Sequence, residues 1–113
     1  MSCIFCKIIS GEIPAKIVYQ NNDLIAIEDI NPVAPLHLLL IPKKHVASVL
    51  DLTADDDQLV GQIYRVAADL VTQKGFAESG FRVVVNTNGD AGQTVFHLHF
   101  HLIAGRSLSW PPG

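Results

Sequence analysis

The chain has 113 residues, 49% hydrophobic and 17% charged, with eight Lys or Arg against eleven Asp or Glu and a net charge of −3. That length suits one domain, read here as residues 1–113, near the common size of ~100–150 residues, and it needs no disulfide or metal to fold. The composition excludes a disordered chain, and a mildly acidic balance without a basic run argues against nucleic acid and membrane as partners.

The N-terminus, Met1-Ser2-Cys3-Ile4-Phe5-Cys6-Lys7, lacks the basic region and cleavage site of a secretory signal, so a cytoplasmic location is expected. Phe5 to Ser10 predicts a short helical turn ended by Gly11, and Pro14 marks a break. Ile17 to Tyr19 and Leu24 to Glu28 predict two strands joined through Asn21-Asn22-Asp23. Asp29 to Pro35 carries two prolines and reads as a loop. His37 to Ile41 is a dense apolar run between Pro35 and Pro42, the pattern of a central strand. Its strongly apolar part, Leu38 to Ile41, is far short of the ~20 residues of a membrane-spanning helix.

Ala54 to Lys74 predicts the one long helix. Thr53 with Asp56 resembles a capping box, Leu59, Ile63, Val66, Ala67 and Leu70 recur at helical spacing, and Gly75 is placed to end it. Phe81 to Asn86 and Val95 to Ile103 predict two more strands. Strands, one long helix, then strands again predict an α+β fold with a mostly antiparallel sheet.

Three of the five histidines fall in His97-Leu98-His99-Phe100-His101. In a strand, side chains alternate between faces, so the three imidazoles share one face at roughly 6.5–7 Å spacing, while Leu98, Phe100 and Leu102 enter the core. Groups titrating near pH 6.5 in a line suit nucleophilic or acid–base chemistry, or metal ligation. The preceding connection, Thr87-Asn88-Gly89-Asp90-Ala91-Gly92-Gln93-Thr94, is longer than a hairpin requires. Gly89 and Gly92 permit positive φ, which lets backbone N–H groups converge on an anion, and Thr94 adds a hydroxyl, so the segment reads as a phosphate cradle.

At these residues the chain resembles the histidine triad family. His97-Leu98-His99-Phe100-His101-Leu102-Ile103 matches its His-φ-His-φ-His-φ-φ pattern, φ being apolar. The likeness runs through Lys7-Ile8-Ile9, Glu12-Ile13-Pro14-Ala15-Lys16, Asp29-Ile30, Ala34-Pro35, Ile41-Pro42-Lys43-Lys44-His45 and Gly92-Gln93. The tail Trp110-Pro111-Pro112-Gly113 is similar to the Hint branch, whose members are dimeric purine nucleoside phosphoramidases.

The resemblance implies hydrolysis of the P–N bond of purine nucleoside 5′-phosphoramidates, including aminoacyl-type N-linked adenylates. It implies that His99 attacks the α-phosphorus and becomes nucleotidylated, and that His101 contacts a phosphate oxygen and helps protonate the amine. His37 would support the histidine network, Asp29 would take the ribose hydroxyls, and Ile30 would pack on the base. Asn86, Gly92 and Thr94 would bind the phosphate, with Thr94 where many relatives carry serine and Ala104 where a glycine is common. No cofactor is implied for catalysis. A homodimer is implied, its sheet continued across both subunits and Trp110 reaching toward the partner's site. The high apolar content also predicts a partner subunit.

Cys3 and Cys6 have the spacing of half a zinc site, which needs four ligands. The resemblance implies Cys3, Cys6, His45 and His97 as a structural set, leaving His99 and His101 free. A reduced thiol pair and a redox disulfide are the other readings of the cysteines. Two other functions compete with the phosphoramidase: a nucleotide-binding regulatory module with little turnover, and a hydrolase in which His97, His99 and His101 ligate a catalytic ion.

Overall fold

Seven consecutive buried residues make Leu36–Pro42 (β3) the middle of the molecule. A half-exposed strand would alternate apolar and polar residues; this one cannot, because both of its faces are covered. The computed structural model describes residues 3–113; Met1 and Ser2, the start of the N-terminus read above, lie outside them.

In chain order the elements are α1 (Ile4–Ser10), β1 (Ile17–Gln20), β2 (Leu24–Glu28), β3, α2 (Asp57–Gln73), β4 (Phe81–Val84), α3 (Asn88–Ala91) and β5 (Phe100–Ala104). The five strands form one sheet in the order β1-β2-β3-β5-β4, every neighbouring pair antiparallel. This is the expected α+β fold, with the Pro-flanked apolar run at its centre.

One face of the sheet carries Leu24, Leu36, Leu38, Leu40, Phe100 and Leu102 against Ile63, Val66, Leu70 and Val71 of α2. The other carries Ile25, Ile27, Leu39 and Ile41 against Phe5 and Ile8 of α1. The capping box forms: Asp56 Oδ2 accepts the Thr53 backbone N–H at 3.0 Å, and Thr53 Oγ1 accepts that of Asp55 at 3.3 Å. Residues Ala54–Asp56 are a 3₁₀ turn, so the α-helix itself begins at Asp57, three residues later than expected. Lys44 Nζ meets Asp56 Oδ1 at 2.7 Å, and that hydrogen bond holds the carboxyl below the usual carboxylate range.

The histidine strand is shorter than Val95 to Ile103. Its ladder to β3 runs from Leu36↔Ala104 to Leu40↔Phe100 and stops. Pro42 has no N–H to offer, its carbonyl accepts from His97 Nε2 at 2.8 Å, and the Lys43 N–H goes to Asp23 O. Leu98 instead donates its backbone N–H to Val46 O at 2.8 Å. His97 and His99 therefore precede the ladder, and only His101 lies within it. β4 likewise ends at Val84, paired with His101, rather than at Asn86.

Candidate active site

His37 on β3 and His101 on β5 meet diagonally across adjacent strands, their register partners being Ile103 and Leu39. Val33 N–H donates to His37 Nδ1 at 3.1 Å, so the proton of the neutral ring sits on Nε2. His37 Nε2 lies 2.9 Å from His101 Nδ1 and 3.3 Å from Asp29 Oδ2. It donates to His101 Nδ1, which leaves the His101 proton on Nε2. Burial lowers the pKa of His37 against the pull of Asp29. Burial, then the neighbouring His99 and His37, push His101 down to about 4.

His99 takes the opposite tautomer. Its Nδ1–H donates to the main-chain carbonyl of His97 at 2.8 Å, leaving a lone pair on Nε2. The His99 and His101 ring centroids are 5.2 Å apart at an angle of 61°. That is closer than the spacing expected of a regular strand, and His99 stands outside the ladder. Leu98, Phe100 and Leu102 enter the core on the other face, as the alternation requires.

Beside these histidines lies an apolar cavity of about 580 Å³, walled by Phe5, Ile8, Ile27, Ile30 and Leu39, with Asp29 at its edge. Asp29 Oδ1 accepts the backbone N–H of Asn31 at 2.8 Å, which turns the loop and leaves Ile30, 92% exposed, at the cavity mouth. The Phe5 ring meets His99 edge-on at 5.0 Å. Sequence reasoning gave Phe5 no role in the site, although its i, i+3 spacing with Ile8 marks a buried helix face.

The connection before β5 is more ordered than an open turn. Asn88–Ala91 form one short helical turn, and positive φ falls at Asn88 (63°) and Gly92 (83°), not at Gly89. Asn tolerates that region better than other residues with a Cβ. Gln93, 7% exposed, locks the segment: Oε1 accepts Asn88 N–H at 2.8 Å, and Nε2 donates to Ala47 O at 2.8 Å and Val95 O at 3.1 Å. Gln93 is a second residue that sequence reasoning left without a role. Gly92 and Thr94, on either side of it, are exposed, and Asn86 is half-buried two residues past the end of β4.

A second cluster joins the N-terminus to the sheet. Donor atoms of Cys3, Cys6, His45 and His97 lie within 4.8 Å of one another. Cys3 Sγ and Cys6 Sγ stand 3.3 and 3.6 Å from His97 Nδ1, Cys6 Sγ 3.3 Å from His45 Nδ1, and the two Nδ1 atoms 3.0 Å apart. Tetrahedral zinc with two thiolates and two imidazoles sets such separations at about 3.3–3.8 Å, so the residues fit that ion. His97, fully buried, donates from Nε2 to Pro42 O and so presents a lone pair at Nδ1, as a metal ligand does. Burial and the adjacent Cys3 push the Cys6 thiol up. Both cysteines are free of disulfide. Among the described residues the other group of ligand-type atoms is Asp29, His37 and His101; His97, His99 and His101 do not converge on a common point, which removes the support for a three-histidine catalytic ion.

Comparison with known proteins shows the family. Residues 2–109 match the family model described as "Scavenger mRNA decapping enzyme C-term binding". The fold superposes on a HIT family hydrolase from Legionella pneumophila with a TM-score of 0.97 and 47% identity, covering 99% of this chain and 100% of that one. The chain belongs to the histidine triad family. The purine nucleoside phosphoramidase of Escherichia coli K12 is 47% identical over 105 residues, 93% of this chain and 88% of that protein. An uncharacterized HIT-like protein of Synechococcus elongatus is 48% identical over 110 residues, 97% of this chain and 96% of its own length. A histidine triad protein from Clostridium difficile aligns at a TM-score of 0.92 and 46% identity, over 96% of this chain and 95% of that one. Among the described residues of this family member, no helix is long and apolar enough to cross a membrane.

Proposed function

We propose that this chain is a hydrolase of purine nucleoside 5′-phosphoramidates, acting through a nucleotidyl-histidine at His99. The observation that carries the reading is the pair of opposed tautomers: a lone pair on His99 Nε2 beside a proton on His101 Nε2. The likeness to the Escherichia coli phosphoramidase supports the substrate class.

His99 Nε2 attacks the α-phosphorus, and the P–N bond breaks as the leaving nitrogen takes one proton. His101 delivers that proton from Nε2 when it carries two, a state favoured by the negative charge of a bound phosphate. Asp29 Oδ2 then takes the hydrogen bond of His37 Nε2. Water next attacks the same phosphorus and passes a proton to His101 Nε2, releasing nucleoside monophosphate and free His99. An imidazole nitrogen with a free lone pair needs no separate base to act as nucleophile. Asp29 binds the ribose hydroxyls, Ile30 and the apolar cavity take the purine, and Asn86, Gly92 and Thr94 bind the phosphate as preorganised dipoles.

Cys3, Cys6, His45 and His97 hold a structural zinc, which ties α1 to the sheet and supplies stability rather than chemistry. Elemental analysis of protein purified without added metal tests this. Reduced thiolates suit the cytoplasm, where we place the protein. The active unit is a homodimer paired along β4, an edge strand with exposed Phe81, and Trp110, 82% exposed, reaches toward the partner's site. A monomeric mass in sedimentation at micromolar concentration would overturn the dimer.

The deciding experiment is steady-state hydrolysis of adenosine phosphoramidate by the wild type and His99→Asn, with a mass-spectrometric search for the adduct. Loss of turnover with adenosine monophosphate (AMP) binding retained is expected. Near-normal turnover by His99→Asn would sink the mechanism, and a wild type that binds without turning over would make the chain a nucleotide-binding module.

A further inference from the structure

We infer that metal at the Cys3–Cys6–His45–His97 cluster and nucleotide in the His99 pocket bind with positive cooperativity. The inference rests on the metal and nucleotide readings above and adds a coupling between them. Two physical links carry it, and both pass through residues that belong to the two sites at once.

The first link is α1. At seven residues it is too short to hold its shape alone in water, where helices under ~12–15 residues are marginal. What anchors it is the packing of Phe5 and Ile8 and the two thiols facing His45 and His97. Phe5 sits between those thiols in sequence, yet its ring points to the reaction centre, edge-on to His99 at 5.0 Å and to His97 at 5.9 Å. Ile4, Phe5 and Ile8 are also a wall of the 580 Å³ cavity. Whatever holds the cysteines in place therefore holds the cavity wall.

The second link is His97. Its ring offers Nδ1 to the cluster, while its main-chain carbonyl accepts the Nδ1–H of His99 at 2.8 Å. Residue 97 precedes the first ladder position at Phe100, so no sheet hydrogen bond fixes that carbonyl. Its place is set by the neighbouring Leu98 N–H to Val46 O and by the two ends of its own imidazole. A cation drawing on Nδ1 steadies the group that aims the nucleophile.

Without a cation, the cluster is held only by weak S–H···N hydrogen bonds from the thiols to His97 and His45 in place of four coordinate bonds. α1 then loosens, and a nucleotide must restore the wall at the expense of its own binding energy. The converse holds by linkage: nucleotide that holds Phe5 in place holds the cluster together, and each ligand raises the affinity of the other by one common factor.

The test is a thermodynamic square measured by calorimetry with zinc and AMP as the probes. AMP is titrated into zinc-loaded and chelator-stripped protein, and zinc into stripped protein with and without saturating AMP. Removing zinc is expected to weaken AMP about tenfold, within the usual range of coupling between sites, and AMP is expected to tighten zinc by the same factor. In Phe5→Leu, which keeps all four ligands and most of the packing volume, the factor shrinks toward unity; an undiminished factor would overturn the part given to Phe5. Equal AMP affinities with and without zinc would overturn the coupling and leave both site readings standing. A chain that binds no zinc overturns the metal reading, one that binds no AMP overturns the nucleotide reading, and either takes the coupling with it.

Discussion

His37 Nε2 lies 2.9 Å from His101 Nδ1, and the direction of that hydrogen bond is fixed three atoms away, by the Val33 N–H on His37 Nδ1. A main-chain amide in a loop thus decides which nitrogen of His101 carries the proton. His37→Phe keeps the ring volume but removes the donation, so His101 loses its imposed tautomer. We expect kcat to fall about 10- to 100-fold on substrates with amine leaving groups, and less on acidic leaving groups that need no proton. His37→Gln, which can still donate, should recover part of the loss. Rates for both variants on both substrate types check this.

Stability should fall on acidification, with a sign set by His101. Its folded pKa of about 4 lies below the unfolded value of about 6.5, so the unfolded chain binds the proton first as pH falls. The contribution is complete above about pH 6.5 and is lost toward pH 4, at most about 3 kcal/mol. His37 is lowered too and acts in the same direction. Urea unfolding at several pH values, compared with His101→Asn, isolates the effect from loss of metal; an equally steep profile in the variant would refute it.

Gln93→Leu should raise KM about tenfold while kcat changes less, because three hydrogen bonds that shape the 88–94 segment disappear together. Gln93→Glu keeps the acceptor for Asn88 N–H and loses both donations, so it should not rescue. A fall in kcat at unchanged KM would show that the segment does not bind the ground-state phosphate.

Gly105→Ala should cost about 2–4 kcal/mol. Gly105 has φ +100°, and an added Cβ would stand 2.8 Å from Cβ of Pro35 and 3.2 Å from Cε1 of Phe76. Chemical denaturation measures the loss, and a variant as stable as the wild type would mean that the Pro35 loop gives way freely.

What could be read from the amino acids depended on the range of the interaction. β3 was legible because its continuous apolar run between prolines suits a strand covered on both faces, and the capping box because Thr53 and Asp56 are local partners, though it caps the 3₁₀ turn that leads into α2 and not α2 itself. The beginning of β5 was not, since it is decided by Pro42, 58 positions before Phe100, through a missing N–H and an occupied carbonyl. Gln93 was invisible for the same reason: its partner at Ala47 is 46 residues away. The cysteine spacing marked half of a cluster, and resemblance rather than spacing named the other half.

The layering of the sheet has a consequence for how the protein can change over generations. Residues behind the histidines, on the face of the sheet covered by α2, among them Leu38, Leu40 and Leu102, are almost wholly buried, so their amides should exchange with solvent only when the whole chain unfolds. The helix that walls the cavity, α1, is by contrast a short element of seven residues packed on the other face of the sheet. Substitutions at Ile4 and Ile8, which line the cavity, alter which molecule is held, whereas Phe5, edge-on to His99, cannot change without reaching that ring. A histidine triad built this way is free to drift in diet while its chemistry stays put.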